Sequence, residues 1–289
     1  MGRRPPSTHG LAVVDKPAGV TSHDVVAMLR RRFGERQVGH AGTLDPDATG
    51  VLLVGVGRCT RLLRFLTDLG KSYTGQVVFG STTDSLDSTG VVTATFEMPQ
   101  LSPQQVQAAI DTHLTGDILQ IPPMVSAVKV DGRRLHELAR EGVEVERAPR
   151  PVTVYRFAAA PTADPMVYDI EVRCSKGTYV RTLADDLGRL CGGGAHLRGL
   201  RRVSVGGFTA AESRPPDSVE LLGLGAAVRD YPSVTVNPQI AAQVANGRVL
   251  PAFDGAGPWA VMDEAGNLLA MYETVGDGRA KPVVVIPKH

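Results

Sequence analysis

The stretch Gly39–Gly50, GHAGTLDPDATG, packs three glycines, a proline and two threonines around one histidine and two aspartates. Glycine and Asp-Pro steps favour tight turns, so the segment reads as a constrained loop. Loops held on a rigid scaffold are where reactive groups concentrate. On these residues alone, Asp45 is either a reactive carboxylate or simply the first residue of an Asp-Pro turn. His40 is likewise either a contact residue or a surface side chain.

Working outward, Leu11–Val14 reads as a short buried strand stopped by the turn Asp15-Lys16-Pro17-Ala18-Gly19. Ser22 is the expected N-cap of a helix with Val25, Val26 and Leu29 on one face and Gly34 at its end. Beyond the loop, Val51–Val56 predicts a strand, and Thr60–Leu69 a helix with Leu62, Leu63, Leu66 and Leu69 as its apolar positions. Tyr73–Phe79 and Val91–Phe96 predict strands joined as an irregular hairpin across the polar run Ser81–Gly90. Ser102-Pro103-Gln104-Gln105 combines an N-cap, a proline at the first helical position and a glutamine placed for a capping box. Residues 116–151 hold paired prolines, two short strand-like pieces and a helix near Leu135–Arg140, which describes a long insertion with some structure of its own. Strands near Val152–Ala158 and Val167–Cys174 then precede a helix from about Tyr179 to Leu190. Gly192-Gly193-Gly194 breaks that helix, and His196–Val205 returns as a strand. After Tyr231, strands near Trp259–Met262, Leu268–Glu273 and Pro282–Ile286 alternate with Gly, Asp and Asn turns, suggesting a small separate β-rich unit.

Composition bounds the class. Of 289 residues, 43% are hydrophobic and 21% charged, as in an ordinary soluble globular protein. The longest apolar stretches are far too short to span a bilayer, and no secretory h-region follows Arg3 and Arg4. Three cysteines without C-x-x-C spacing argue against a disulfide framework or a cysteine zinc site, and a reducing cytoplasm is the expected setting. Net charge is only +1, but residues 1–80 carry +5 and residues 171–202 carry +4, offset by acidic segments elsewhere. Two basic segments folded onto one face would suit a phosphate backbone, although uneven surface charge explains the same numbers.

Three further segments could carry chemistry. Lys176-Gly177-Thr178-Tyr179-Val180-Arg181-Thr182 gathers cations and a tyrosine at a helix start, which is either fit for an anion or a carboxylate partner or simply a core tyrosine beside an arginine on a solvated face. Lys71-Ser72-Tyr73 places a tyrosine at a strand start, where it either stacks on a base or joins the core. Leu197–Arg202 sets Arg198, Arg201 and Arg202 around Leu200, and those arginines are expected to meet phosphates. Gly55-Val56-Gly57 lacks the third glycine of a dinucleotide fingerprint, and no P-loop, G-x-S-x-G elbow or H-E-x-x-H motif occurs. The seven histidines are scattered without metal-ligand spacing.

Four of these segments, in order, resemble the TruB family of bacterial enzymes that convert uridine 55 of the tRNA TψC arm to pseudouridine. They are Lys16-Pro17-Ala18-Gly19-Val20-Thr21-Ser22, Gly39–Gly50, Lys71-Ser72-Tyr73 and Lys176–Thr182, and the likeness runs from about residue 10 to residue 230. Ala41 stands where the family usually has threonine after the histidine. The resemblance implies a mixed α/β (α+β) pseudouridine synthase fold, with a central, mainly antiparallel sheet flanked by helices. It implies a catalytic domain over residues 1–231, in which 116–151 is an RNA-gripping insertion, and a small PUA-like C-terminal domain over 232–289.

The same resemblance implies a role for each matched residue. Asp45 would be the nucleophile, Tyr73 would stack on a flipped-out uracil, and Arg181 would pair with Asp45. Tyr179 and Leu200 would line the base pocket, His40 would contact the target loop, and Lys16 would support the pocket. Lys129, Arg133, Arg134, Arg198, Arg201 and Arg202 would meet the RNA backbone. No metal or organic cofactor is implied, and the partner would be the tRNA TψC stem-loop. A non-catalytic RNA-binding or tRNA-folding protein on the same scaffold is the competing expectation, and an N-glycosylase releasing free uracil a weaker one.

Overall fold

The computed structural model describes residues 8–287 apart from 127 and 131, and omits the side chains of 129, 134 and 136. Its architecture follows from where aliphatic runs alternate with glycine and proline breaks. The first strand, β1 (Gly10–Lys16), is buried almost throughout, as expected for GLAVVDK with apolar neighbours on both faces. Helix α1 (Ser22–Phe33) buries Val25, Val26 and Leu29 and stops at Gly34, whose φ of 60° is the left-handed conformation a helix C-cap requires. Its N-cap is Thr21, not the expected Ser22. The Thr21 hydroxyl accepts from the Asp24 amide, and the Asp24 carboxylate returns a bond to the Thr21 amide. That shift by one residue releases the Ser22 hydroxyl for another task.

Strand β2 (Val38–His40) and β3 (Thr49–Val56) flank the 39–50 loop, and β2 pairs antiparallel with β3, His40 opposite Val54. The segment predicted as one helix from Thr60 is a 3-10 turn, Gly57–Leu62, running into α2 (Leu63–Asp68).

Next come β4 (Lys71–Phe79), β5 (Ser81–Thr83), β6 (Val92–Thr95), α3 (Pro103–His113) and β7 (Gly116–Gln120). The predicted capping box of α3 is present, with Ser102 and Gln105 exchanging bonds. The expected hairpin between Tyr73–Phe79 and Val91–Phe96 is not: β6 pairs with the short β5, while β4 pairs with a later strand. The chain then forms β8 (Lys129–Val130), β9 (Arg133–Arg134), α4 (Leu135–Arg140), β10 (Arg150–Pro161), β11 (Val167–Cys174), α5 (Val180–Leu190) and β12 (Ala195–Val205). Strands run in the order β12-β4-β11-β10-β7, and the pairs from β4 to β7 are antiparallel. Along β11 buried and exposed residues alternate, so one face of this sheet packs inward and the other meets solvent.

The chain ends with β13 (Phe208–Thr209), β14 (Leu221–Leu222), β15 (Ser233–Thr235), α6 (Pro238–Ala245), β16 (Leu250–Pro251), β17 (Trp259–Met262), β18 (Leu268–Thr274) and β19 (Arg279–Val285). The last five strands form a sheet in the order β15-β17-β18-β19-β16, around a core of Trp259, Tyr272, Val244, Leu269 and Val261. Helix α6, capped by Asn237, packs against this core and was not foreseen.

Two compact units emerge. One combines, among the described residues, 8–46, Gly50–Asp68 and 205–287, with β1 pairing antiparallel to both β3 and β14. Within it, Arg58 and Arg61 donate to the carbonyls of Pro287 and Val285, and Arg64 pairs with Glu273. Part of the positive charge counted over residues 1–80 therefore faces the C-terminal strands and is not all available to an external phosphate. The other unit comprises Asp47–Thr49 and Leu69–Ser204. No helix among the described residues is long and apolar enough to cross a membrane.

Candidate active site

In the first unit the chain is gripped on both sides of Asp45. The Lys16 side chain, at the end of β1, is wholly enclosed. Burying an ammonium is costly unless acceptors replace its water. Here Nζ donates to three carbonyls, those of Pro17 at 2.9 Å, Val20 at 2.7 Å and Pro46 at 2.8 Å. The Gly19 amide donates to the same Pro46 oxygen at 3.0 Å, from a backbone at φ 79° that favours glycine. On the other side, the Ser22 hydroxyl accepts from the Leu44 amide at 2.9 Å and donates to the Leu44 carbonyl at 3.1 Å. Leu44 itself is buried. The residues before and after Asp45 are thus fixed, and Asp45, half-buried, is presented between them. The two sequence blocks 16–22 and 39–50 are one structural device. Ala41 is fully buried, so an apolar residue suits that position. His40, half-buried on β2, begins the same loop.

In the second unit, Tyr73 lies on β4 opposite Val172 and is 8% exposed. Gly75, on the same face, has no Cβ to meet the Arg198 carbonyl and Leu200 Cα, which would lie 3.3 and 3.5 Å from one, so β4 and β12 approach closely there. Leu200 is half-buried on β12.

Tyr179 is the N-cap residue of α5, without a side-chain cap bond. Its backbone is held instead by Gln120, whose Oε1 accepts from the Tyr179 amide at 2.8 Å while Nε2 donates to the Tyr179 carbonyl at 3.0 Å. Gln120 is buried and was missed in the sequence. Its only signal is a polar residue ending a strand just before Ile121-Pro122-Pro123.

Arg181 sits in the first turn of α5 and is 4% exposed. A buried cation at the positive end of a helix needs acceptors. It donates to the Ser85 carbonyl at 2.7 Å and the Val125 carbonyl at 2.9 Å, and Asp87 Oδ2 lies 3.7 Å from its Nε. The other Asp87 oxygen accepts from the Ser85 hydroxyl, the Thr89 amide and the Thr89 hydroxyl. The polar run read as a hairpin connection is therefore a built loop that partners Arg181, a role that Ser-Asp turn chemistry alone did not indicate.

The basic residues divide. Arg198 is exposed and donates to Gln76 at 3.0 Å, and Arg201 is half-buried with a 3.4 Å contact to the Thr49 hydroxyl. Arg133 is exposed and pairs with Glu141. The side chains of Lys129 and Arg134 lie outside the described residues. Arg202 departs from the expected phosphate-facing position: it is 1% exposed. Adjacent residues of a strand point to opposite faces, so Arg201 and Arg202 cannot both face outward. Arg202 is a buried cation here, not a phosphate contact.

A mixed α/β scaffold with a mainly antiparallel sheet and a small C-terminal sheet is shared with solved structures. A chain in the crystal structure of a Cbf5-Nop10-Gar1 complex superposes with a TM-score of 0.71, at 24% identity over 97% of this chain and 84% of that one. A chain in the structure of an H/ACA RNP bound to a substrate RNA containing 2'-deoxyuridine gives the same score at 21% identity, over 97% and 85%. Such distant likenesses carry the fold alone. The sequence goes further. The profile described as TruB family pseudouridylate synthase (N terminal domain) matches residues 30–180. Profiles for the C-terminal parts of tRNA pseudouridine synthase II and tRNA pseudouridylate synthase B match 231–287 and 181–221. The tRNA pseudouridine synthase B of Rhodococcus jostii is 46% identical over 96% of this chain and 94% of its own. That of Mycobacteroides abscessus is 41% identical over 99% of both. The chain belongs to the TruB family of pseudouridylate synthases.

Proposed function

We propose that this protein converts uridine 55 in the TψC arm of tRNA to pseudouridine, with Asp45 as nucleophile. The observation that carries this reading is the two-sided grip on Asp45, made by the residues of the 16–22 block. Catalysis needs the reacting group held to within a fraction of an ångström, and hydrogen bonds to both neighbouring residues supply that.

The reaction is an isomerisation: the bond from ribose C1' to uracil N1 breaks, the base turns, and C1' bonds to C5. The proton leaves C5 and N1 gains one, so no water or redox equivalent is consumed. One carboxylate is enough to form and release the covalent intermediate. The stacked target base must first be extruded, at a cost of a few kcal/mol. On this reading His40 contacts the target loop, and Tyr73 stacks on the extruded uracil. Tyr179 and Leu200 line its pocket, and Arg181 pairs with Asp45 and aims it. Lys16 acts through the loop as a positioning residue. Residues 116–151 grip the arm, with Arg133, Arg198 and Arg201 as backbone contacts. Residues 232–289 form the small C-terminal domain, and the setting is the cytoplasm, where tRNA is modified.

Asp45→Asn tests the assignment on an unmodified tRNA transcript. Pseudouridine formation is expected to vanish while tRNA binding persists. Activity above a trace would return the chain to a non-catalytic RNA-binding role or move the nucleophile elsewhere.

A further inference from the structure

His23 has no part in the roles assigned so far. It is exposed, one residue past Ser22 at the start of α1. The fold nevertheless brings its ring to that of His40, with centroids 5.1 Å apart and planes at 88°. This edge-to-face arrangement is the one that aromatic rings prefer, the positive edge of one meeting the negative face of the other. Consecutive residues of α1 therefore reach two points of the same loop: Ser22 holds Leu44, just before Asp45, and His23 meets His40 where the loop begins.

The backbone of His40 is set by its pairing opposite Val54 and by the Ala41 amide donating to the Leu53 carbonyl at 2.9 Å. That pairing leaves the direction of the half-buried ring to side-chain contacts, and His23 supplies one of them. A side chain ordered before its ligand arrives loses less entropy on binding. We propose that His23 is a positioning residue that sets the His40 ring, through edge-to-face contact, for its encounter with the RNA loop. The proposal rests on the reading of His40 as an RNA contact.

The test compares KM and kcat on an unmodified full-length tRNA transcript for His23→Ala, His23→Phe, His40→Ala and the double alanine variant, beside their thermal midpoints. Because His23 is exposed, its variants are expected to melt with the wild type. Loss of the ring contact in His23→Ala is expected to raise KM about threefold to tenfold with kcat within about twofold. His23→Phe, which keeps an aromatic ring, should recover most of that loss. In the His40→Ala background the second substitution should add nothing, as coupled residues in a double-mutant cycle require. Losses that multiply in the double variant would overturn the proposal. So would a wild-type KM for His23→Ala beside a raised KM for His40→Ala. A wild-type KM for His40→Ala would instead sink the reading of His40 itself, and this inference with it.

Discussion

The ammonium of Lys16 donates to the carbonyl of Pro46, the residue that follows Asp45, across 2.8 Å and thirty positions of sequence. A lysine at the end of a strand thereby governs a loop that the chain reaches only after α1 and β2. The same nitrogen holds Pro17 and Val20, so the turn and the loop share one donor.

Lys16→Met keeps the length of the side chain and removes all three donated bonds. Losing the hydrogen bonds of an enclosed, charged donor costs about 1–3 kcal/mol of stability, although the Pro46 carbonyl keeps the Gly19 amide. The loop loosens at the same time, so kcat is expected to fall by about tenfold or more, since small misplacements of a reacting group carry penalties of that order. Urea unfolding and single-turnover pseudouridine formation measure the two effects. A variant with normal stability and normal kcat would show that the clamp is incidental.

Gln120 offers a parallel case in the other unit. Its two bonds fix the peptide of Tyr179 directly before α5. Gln120→Leu preserves bulk but leaves the Tyr179 amide without its Gln120 acceptor, while the Tyr179 carbonyl keeps the Leu183 amide, for a loss of about 1–3 kcal/mol. If Tyr179 lines the base pocket, KM or kcat should deteriorate beyond what the stability loss explains at low temperature. Steady-state kinetics well below the melting transition separate the two, and unchanged kinetics there would leave Gln120 a purely structural residue.

These two residues mark what was legible in the sequence. Lys16 stood inside a recognisable block, and α1, α3, α4, β11 and β17 followed from periodicity and caps. Gln120 and Asp87 carried no pattern of their own, because their importance lies in partners 59 and 94 positions away. Ser22 was misread because Thr21 is an equally good cap, and only the presence of Leu44 beside Ser22 decides between them. The Val91–Phe96 pairing failed for a related reason: strand propensity identifies a strand but not its neighbour, and here the adjacent short β5 took the partner expected for β4. Arg202 was placed on the surface by residue type, whereas strand alternation turns it inward.

The carboxyl of Asp186 on α5 is pushed up to about 6, mainly by burial, with the neighbouring Asp185 adding to the shift and Arg189 opposing it. A carboxyl that binds its proton more tightly in the folded chain than in the unfolded one makes the fold less stable as pH rises between the two values. The loss therefore accrues from about pH 4 to pH 6 and persists above. Asp186→Asn removes it. With allowance for partial exposure, the variant should gain about 1 kcal/mol over the wild type at pH 7.5, and the gain should fade below pH 4.5. Denaturant melts across that range are the measurement. A stability difference independent of pH would refute the titration.

Gly188 lies near the end of α5, where an alanine would ordinarily stabilise a helix by about 1 kcal/mol. Here the sign reverses. A Cβ at this position would stand 2.2 Å from the Ala195 amide nitrogen and 2.5 Å from the Gly194 carbonyl carbon, backbone atoms that cannot rotate away. The chain turns back along α5 at this point to enter β12, and the missing side chain lets it pass. Gly188→Ala must displace either the helix or the strand, at a cost of about 1–3 kcal/mol for overpacking. Gly223→Ala, where a Cβ would meet nothing within 4 Å, serves as control and should stay within about 0.5 kcal/mol. Displacement of α5 would also move Arg181 and the Tyr179 peptide at its other end. Gly188→Ala is accordingly expected to lose pseudouridine synthesis even at temperatures where it remains folded, whereas the control loses neither stability nor activity.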